Sequence, residues 1–184
     1  MTSKRVAPVP KGYRTVTSHL VVRGGEAAAA YYEAVFGAAI QSRILAADGQ
    51  TVLQLELKIG NSIVRLMDEM PDFGVLSPLS LGGTPVGLHL YLRNVDEVWE
   101  KALAQGAGVL IALDNMPWGE RFAKFVDPFG HVWSIARRIE LPAAAPETAA
   151  VRKADSFSVH EPRADHLDLA PEQIAVGQKQ GQAA

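Results

Sequence analysis

Two stretches of the 184-residue chain follow the same plan. Ser18–Ala38 reads SHLVVRGGEAAAAYYEAVFGA, and Pro85–Gly106 reads PVGLHLYLRNVDEVWEKALAQG. Each opens on an alternating His-Leu strand, turns, runs through an amphipathic helix and closes on Gly. His19 answers to His89, 70 positions on, and Gly37-Ala38 answers to Gly106-Ala107, with a one-residue difference in spacing between the copies. In the second copy Leu88, Leu90 and Leu92 alternate with Gly87, His89 and Tyr91, and the helix stripe is Val95, Val98, Trp99, Ala102 and Leu103. One strand and one helix cannot bury their apolar faces alone. The repeat therefore points to two similar modules sharing a core.

The residues after each helix complete a module. A first strand over Arg14–Val22 and a helix over Glu26–Phe36 lead to a strand over Ala39–Ala46. Asp48-Gly49 signals a hairpin into Gln50–Ile59, where Leu53, Leu55 and Leu57 alternate with Gln54, Glu56 and Lys58. Gly60-Asn61 turns into Ser62–Asp68, with Ile63, Arg65 and Met67 on one face and Val64 and Leu66 on the other. Residues 14–70 thus read β-α-β-β-β. Residues 71–84, rich in Pro and Gly, form a linker or a loop over a site. Residues 85–140 repeat the order: Pro85–Gly106, a strand over Gly108–Leu113, a turn at Asp114-Asn115, a strand over Trp118–Val126, a tight turn at Asp127-Pro128-Phe129-Gly130 and a last strand over His131–Arg138. The predicted class is α+β, with tandem βαβββ modules in one domain over residues 14–140. Residues 1–13 read as an N-terminal arm. Residues 141–184, rich in Ala, Pro and Gln, read as a tail that is flexible or wraps a partner subunit, with a hint of helix at Pro171–Val176.

Composition removes several functions. The 18 basic and 20 acidic residues nearly cancel, so nothing draws the chain to nucleic acid or an anionic membrane. With no cysteine there is no disulfide, thiol nucleophile or thiolate metal site. No apolar run is long enough for a membrane span, and Met1–Lys11 lacks a signal core. These features fit a cytoplasmic protein.

Three segments carry a resemblance: Thr17-Ser18-His19-Leu20-Val21-Val22, Gly87-Leu88-His89-Leu90-Tyr91-Leu92, and Trp118-Gly119-Glu120-Arg121 ahead of Val126-Asp127-Pro128-Phe129-Gly130-His131. In this order, within tandem β-α-β-β-β modules, they resemble the vicinal oxygen chelate superfamily of glyoxalase I, extradiol dioxygenases and fosfomycin and bleomycin resistance proteins. The PhnB-like, glyoxalase/bleomycin-resistance-like branch is most similar. The resemblance implies curved mixed sheets around a cleft and a homodimer that often pairs its modules. It also implies one metal ligand from the first and one from the last strand of each module. Counting from the landmarks puts those positions at Thr17, Arg65, Gly87 and Ser134, a set that cannot hold a divalent ion. His19 and His89 lie two residues beyond, which keeps them on the same strand face about 6–7 Å away.

The expected ligand-binding residues are His19, Glu56, Arg65, His89, Tyr91, Trp118 and Arg121. Arg65 either binds a ligand anion or pairs with Glu56 across adjacent strands. Trp118 and Arg121 frame a flat ligand, or Trp118 packs on the linker. Trp99 and Trp133 are expected in the core, and of Tyr31 and Tyr32 one packs and the other is exposed. His131 is expected to cap its turn. Asp48, Asp114 and Asp127 are expected to form turns. His160 and His166 have no useful metal spacing. The leading expectation is a protein that binds a small organic molecule without a cofactor. Two alternatives stand beside it. One is a divalent-metal enzyme of lyase, isomerase or dioxygenase type using His19, His89 and Glu56, with a metal-free acid–base variant. The other is a dimeric interaction module acting through its tail.

Overall fold

A computed structural model describes residues 7–140; residues 1–6 of the arm and the whole tail, including Pro171–Val176, His160 and His166, lie outside the described residues. The chain forms β1 (Ser18–Val22), α1 (Gly25–Phe36), β2 (Ala39–Leu45), β3 (Val52–Ile59) and β4 (Ser62–Asp68). A 3₁₀ turn at Pro71–Phe73 and a short helix α2 (Pro78–Leu81) follow. The second module is β5 (Gly87–Tyr91), α3 (Val95–Ala104), β6 (Gly108–Met116), β7 (Glu120–Val126) and β8 (Val132–Arg138). The strands make two four-stranded sheets ordered β1-β4-β3-β2 and β5-β8-β7-β6. In each sheet the first strand runs parallel to the last and the other pairs are antiparallel. Both predicted modules are therefore present with the expected connectivity. Among the described residues no helix is long and apolar enough to cross a membrane.

Strand alternation decides which face of each sheet is covered. Leu20, Val22, Leu55, Leu57, Val64 and Leu66 of the first sheet are buried. So are Ala123, Phe125, Trp133 and Ile135 of the second, and all join one core cluster with α1 and α3. Tyr32 and Phe36 of α1 reach the second sheet, with ring centroids 5.4 and 4.7 Å from that of Trp133. The two sheets thus turn their covered faces toward a shared helical layer. The other face of each sheet is left open, with His19 and His89 among its exposed residues.

This placement overturns the expectation that one of Tyr31 and Tyr32 is exposed: they are 6% and 0% exposed. Neighbouring helix positions point about 100° apart. A helix covered on one side hides only one of them, but α1 is covered on two. Tyr31 packs edge-on to Phe129 of the second module, 5.9 Å between centroids, while Tyr32 enters the core.

Asp127, 3% exposed, joins the modules. Its carboxylate accepts hydrogen bonds from the backbone N–H of Phe129 and His131, each 2.9 Å, which closes the Asp-Pro-Phe-Gly turn. It also accepts from the Tyr32 hydroxyl at 2.7 Å and Trp133 Nε1 at 2.8 Å. His131 adds a second tie between modules, its Nε2 lying 3.0 Å from the Val21 carbonyl oxygen. Gly130 is held at φ +87, and a Cβ there would come within 2.9 Å of Pro78, so the turn also seats α2.

Asp68, at the end of β4, performs a similar service in the first module. Its carboxylate accepts from the N–H of Gly24 (3.0 Å), Gly25 (2.6 Å) and Val52 (2.7 Å). It therefore caps α1 from another strand, in place of an N-cap side chain. Gly25 lets the helix approach, since a Cβ there would sit 2.8 Å from Val52.

Other expectations change in detail. The first strand begins at Ser18 rather than Arg14. Asp114-Asn115 lies within β6, and the turn falls at residues 117–119. Register shifts in β6 accommodate this longer strand. A register shift between Ile44 and Leu45, opposite Gln54 and Val52, reverses the alternation, so Val52 is buried and Leu53 exposed. Leu103 is exposed at the edge of the α3 stripe, whereas Trp99 packs partly buried on the core, as expected.

Asp127→Ala should lower unfolding stability by about 3–5 kcal/mol, because several buried donors lose their acceptor together. Asp127→Asn should cost less, since one oxygen still accepts. Urea denaturation at neutral pH measures both, and an alanine variant within 1 kcal/mol of wild type would contradict the joint.

Candidate functional site

Strand register places the expected site residues in rows on the two open faces. On the first sheet His19 pairs with Arg65, Arg65 with Glu56 and Glu56 with Ser42. On the second His89 pairs with Ser134, Ser134 with Lys124 and Lys124 with Ile111. The two His therefore stand directly beside the last-strand positions Arg65 and Ser134. The counted first-strand positions fall elsewhere: Thr17 precedes β1 and Gly87 pairs with Val132.

The first row is polar and internally bonded. Glu56 lies 3.8 Å from Arg65 Nε and accepts hydrogen bonds from the Ser42 hydroxyl at 2.8 Å and Gln54 Nε2 at 3.0 Å. The Tyr13 hydroxyl also bonds to Glu56, the largest of several causes that hold this carboxyl below its ordinary pKa. Arg65 donates to the Gln54 side-chain oxygen, yet its Nε is buried with no hydrogen-bond partner among the described residues. The pairing of Arg65 with Glu56 across adjacent strands is thus present as a loose ion pair. Partial desolvation on the open face, and then the Arg65 charge, hold His19 below its ordinary pKa of 6.5. At neutral pH its imidazole is uncharged and suited to hydrogen bonding.

The second face is aromatic. His89 meets Tyr91 edge-on at 4.6 Å and stacks toward Phe122 at 6.2 Å, while Trp118 stands edge-on to Phe122 at 6.0 Å. Glu120 sits among these rings. It accepts from the Tyr91 hydroxyl at 2.6 Å and Trp118 Nε1 at 2.9 Å, and the Tyr91 bond is the main cause holding its carboxyl below the ordinary range. His89 Nδ1 lies 2.8 Å from the Ser134 hydroxyl oxygen, which fixes the ring. Tyr91 remains 64% exposed, a large share for an aromatic side chain fixed by a carboxylate.

Of the seven expected residues, the structure gathers His19, Glu56 and Arg65 on one open face and His89, Tyr91 and Trp118 on the other. Trp118 stands over Phe122 and Glu120 of its own sheet. Arg121 departs from the set. It shares the face of Ala123 and Phe125, and its Nε donates to Asp96 of α3 at 2.6 Å, so it braces the helix side. Sequence reading missed Tyr13, Gln54, Glu120 and Phe122. Alternation along β3 and β7 puts Gln54 with Glu56 and Phe122 with Lys124, and so signalled those two. Nothing local signalled that the arm brings Tyr13 to Glu56.

Of the alternative metal set, His19 and Glu56 stand on the first sheet and His89 on the second. Among the described residues no three His, Asp or Glu side chains are placed to hold an ion. At the last-strand positions Arg65 presents a fixed cation and Ser134 a neutral hydroxyl, so the donors of one chain do not fit the family's metal.

A family model for the Glyoxalase/Bleomycin resistance protein/Dioxygenase superfamily matches residues 14–135, and the chain belongs to that superfamily. An uncharacterised protein of Mycobacterium bovis is 36% identical over 127 residues, or 67% of this chain and 83% of the relative. Among solved structures, TioX from Micromonospora sp. ML1 superposes with a TM-score of 0.53 at 25% identity, over 67% of this chain and 97% of that one. A PhnB protein from Bacillus cereus gives 0.55 at 19% identity, over 67% and 99%. The fosfomycin resistance protein FosX from Listeria monocytogenes, complexed with Mn(II) and sulfate, gives 0.52 at 15%, over 67% and 91%. The last two likenesses bear on the fold alone.

Replacing Arg65 with Gln should raise the His19 pKa part of the way to 6.5, because the partial desolvation remains. A depressed folded-state pKa means that protonation of His19 favours the unfolded chain. Its effect on stability is absent well above pH 6.5 and becomes destabilising as the pH falls below that value. Imidazole NMR titration of wild type, Arg65→Gln and His19→Ala measures this; an unchanged His19 titration in Arg65→Gln would contradict the coupling.

Proposed function

We propose that this protein binds a small planar organic molecule, in a cleft that two copies build together. The observation that carries the reading is the fixed, exposed aromatic group on the second sheet: Tyr91, Trp118, Phe122 and His89 around Glu120. Rings held by hydrogen bonds give up little entropy when a flat ligand stacks on them. The separation of the polar and aromatic rows onto two sheets of one chain supports the second half of the proposal. A cleft with both walls needs the first sheet of one copy to face the second sheet of another. The polar wall would then offer His19 and the Arg65 Nε, which lacks a hydrogen-bond partner among the described residues, to the far end of the ligand. Exposed Val16, Leu81 and Val86 near the first sheet supply apolar surface for such pairing. Binding without turnover would sequester the compound.

A metal-dependent enzyme is the second reading. It is favoured by the equivalent places of His19 and His89 in the two modules, which pairing of copies would bring to one cleft. Arg65 and Ser134 at the adjoining positions weigh against it.

Planar aromatic compounds should raise the melting temperature of the full chain. Tyr91→Ala and Trp118→Ala should each weaken the best binder about tenfold or more, in keeping with about 1.4 kcal/mol per stacked ring. Sedimentation velocity should give a dimer. Near-stoichiometric Mn, Ni, Zn or Fe(II), retained after dialysis and lost in both His19→Ala and His89→Ala, would replace this reading with the metal enzyme. A monomer that binds no aromatic compound would overturn it outright.

A further inference from the structure

Beside the aromatic wall lies a concentration of positive charge. An open cavity of about 450 Å³ is lined by Tyr91, Leu92, Arg93, Ala136, Arg137 and Arg138. Its origin is the parallel pairing of β5 with β8. The register Tyr91↔Ala136 is continued by the Leu92 N–H donating to the Ala136 carbonyl at 2.8 Å. That pairing carries Arg93 alongside the Arg137-Arg138 end of β8. Like charges on adjoining strands repel, so the fold carries a cost there that a bound anion would offset.

Two carboxylates lie nearby. Asp96 holds Arg121 at 2.5 Å and lies 3.9 Å from Arg137. Glu120 pairs in register with Arg138 and feels its charge, but both its hydrogen bonds go to Tyr91 and Trp118. Among the described residues, neither Arg93 nor Arg138 forms a salt bridge. Tyr91 belongs both to this cavity and to the aromatic wall, so the two features are continuous.

We propose that Arg93 and Arg138 form an anion subsite at the rim of the aromatic wall, and that the ligand is a planar organic anion. Its carboxylate, sulfonate or phosphate sits between the guanidinium groups while its ring lies on Tyr91. This rests on the ligand-binding reading above and narrows its ligand to one charge class. Guanidinium groups suit such oxyanions because they donate two parallel hydrogen bonds and stay charged at any working pH.

The test uses three probes on the full chain at low ionic strength, where surface charges act most strongly. They are the aromatic sulfonate 1-anilinonaphthalene-8-sulfonate, its uncharged analogue N-phenyl-1-naphthylamine, and inorganic phosphate. In Arg93→Gln/Arg138→Gln the sulfonate should bind about tenfold more weakly, and phosphate should lose its stabilisation of the fold relative to chloride at equal ionic strength. The neutral probe should bind unchanged, and circular dichroism should show the variant folded. Tyr91→Ala should weaken both aromatic probes. Equal sulfonate binding by wild type and the double variant, with the neutral probe bound, would overturn the anion subsite and spare the broader reading. Arginine-dependent stabilisation by phosphate with neither aromatic probe bound would support the anion subsite and remove the planar-ligand reading. No response to any probe would overturn both.

Discussion

The arrangement depends on one buried carboxylate. One oxygen of Asp127 closes a four-residue turn on two backbone amides, and the other holds a tyrosine of α1 and a tryptophan of β8. A carboxylate is costly to bury unless its oxygens are satisfied, and here four donors surround it. The bond to Tyr32 links positions 95 residues apart, so a local turn also fixes how the modules meet. The consequence reaches the outer faces. Because α1 packs against both sheets, each sheet keeps its other face open, and each open face holds half of the candidate site.

Much of this was legible from strand alternation. The faces of Ser62–Asp68 were read correctly, and so was the neighbourhood of Glu56 and Arg65, because a period of two leaves little freedom once a strand has a buried side. The failures share a cause: they concern residues whose surroundings come from the other module or from a shift in register. Tyr31 is hidden by Phe129, nearly 100 residues away, and no helix periodicity reports that. Asp114-Asn115 has the chemistry of a turn, but β7 pairs past it and absorbs both residues. The nearness of Arg121 to a loop suggests a ligand contact, whereas its parity with Ala123 and Phe125 puts it on the helix side. Parity along a strand was the better guide.

The site was legible in kind rather than in connection. Repeat symmetry identified His19 and His89 as equivalent, and pairing with Arg65 and Ser134 strengthens the equivalence. What the repeat could not show is how differently the two histidines are treated. Arg65 lies beside His19 as a fixed charge and, with partial desolvation, keeps the ring neutral. Ser134 holds the His89 ring by a hydrogen bond, among aromatic neighbours. One fold, used twice, has produced a polar face and an aromatic face.

That divergence bears on what the proposed paired cleft would select. If both modules carried aromatic faces, a cleft between copies would present two similar walls and favour a symmetric apolar guest. A polar wall opposite an aromatic one favours a molecule with two unlike ends, because a uniformly apolar guest would leave the Arg65 Nε and His19 desolvated without partners. A uniformly polar guest would gain nothing from Tyr91 and Trp118. Selectivity then follows from the penalty each wall imposes on the wrong end, more than from the attraction either wall supplies alone. The arginines at the far rim extend the same logic along the aromatic wall: they set where a negative charge on the ring would lie, and so fix which way round the ligand sits.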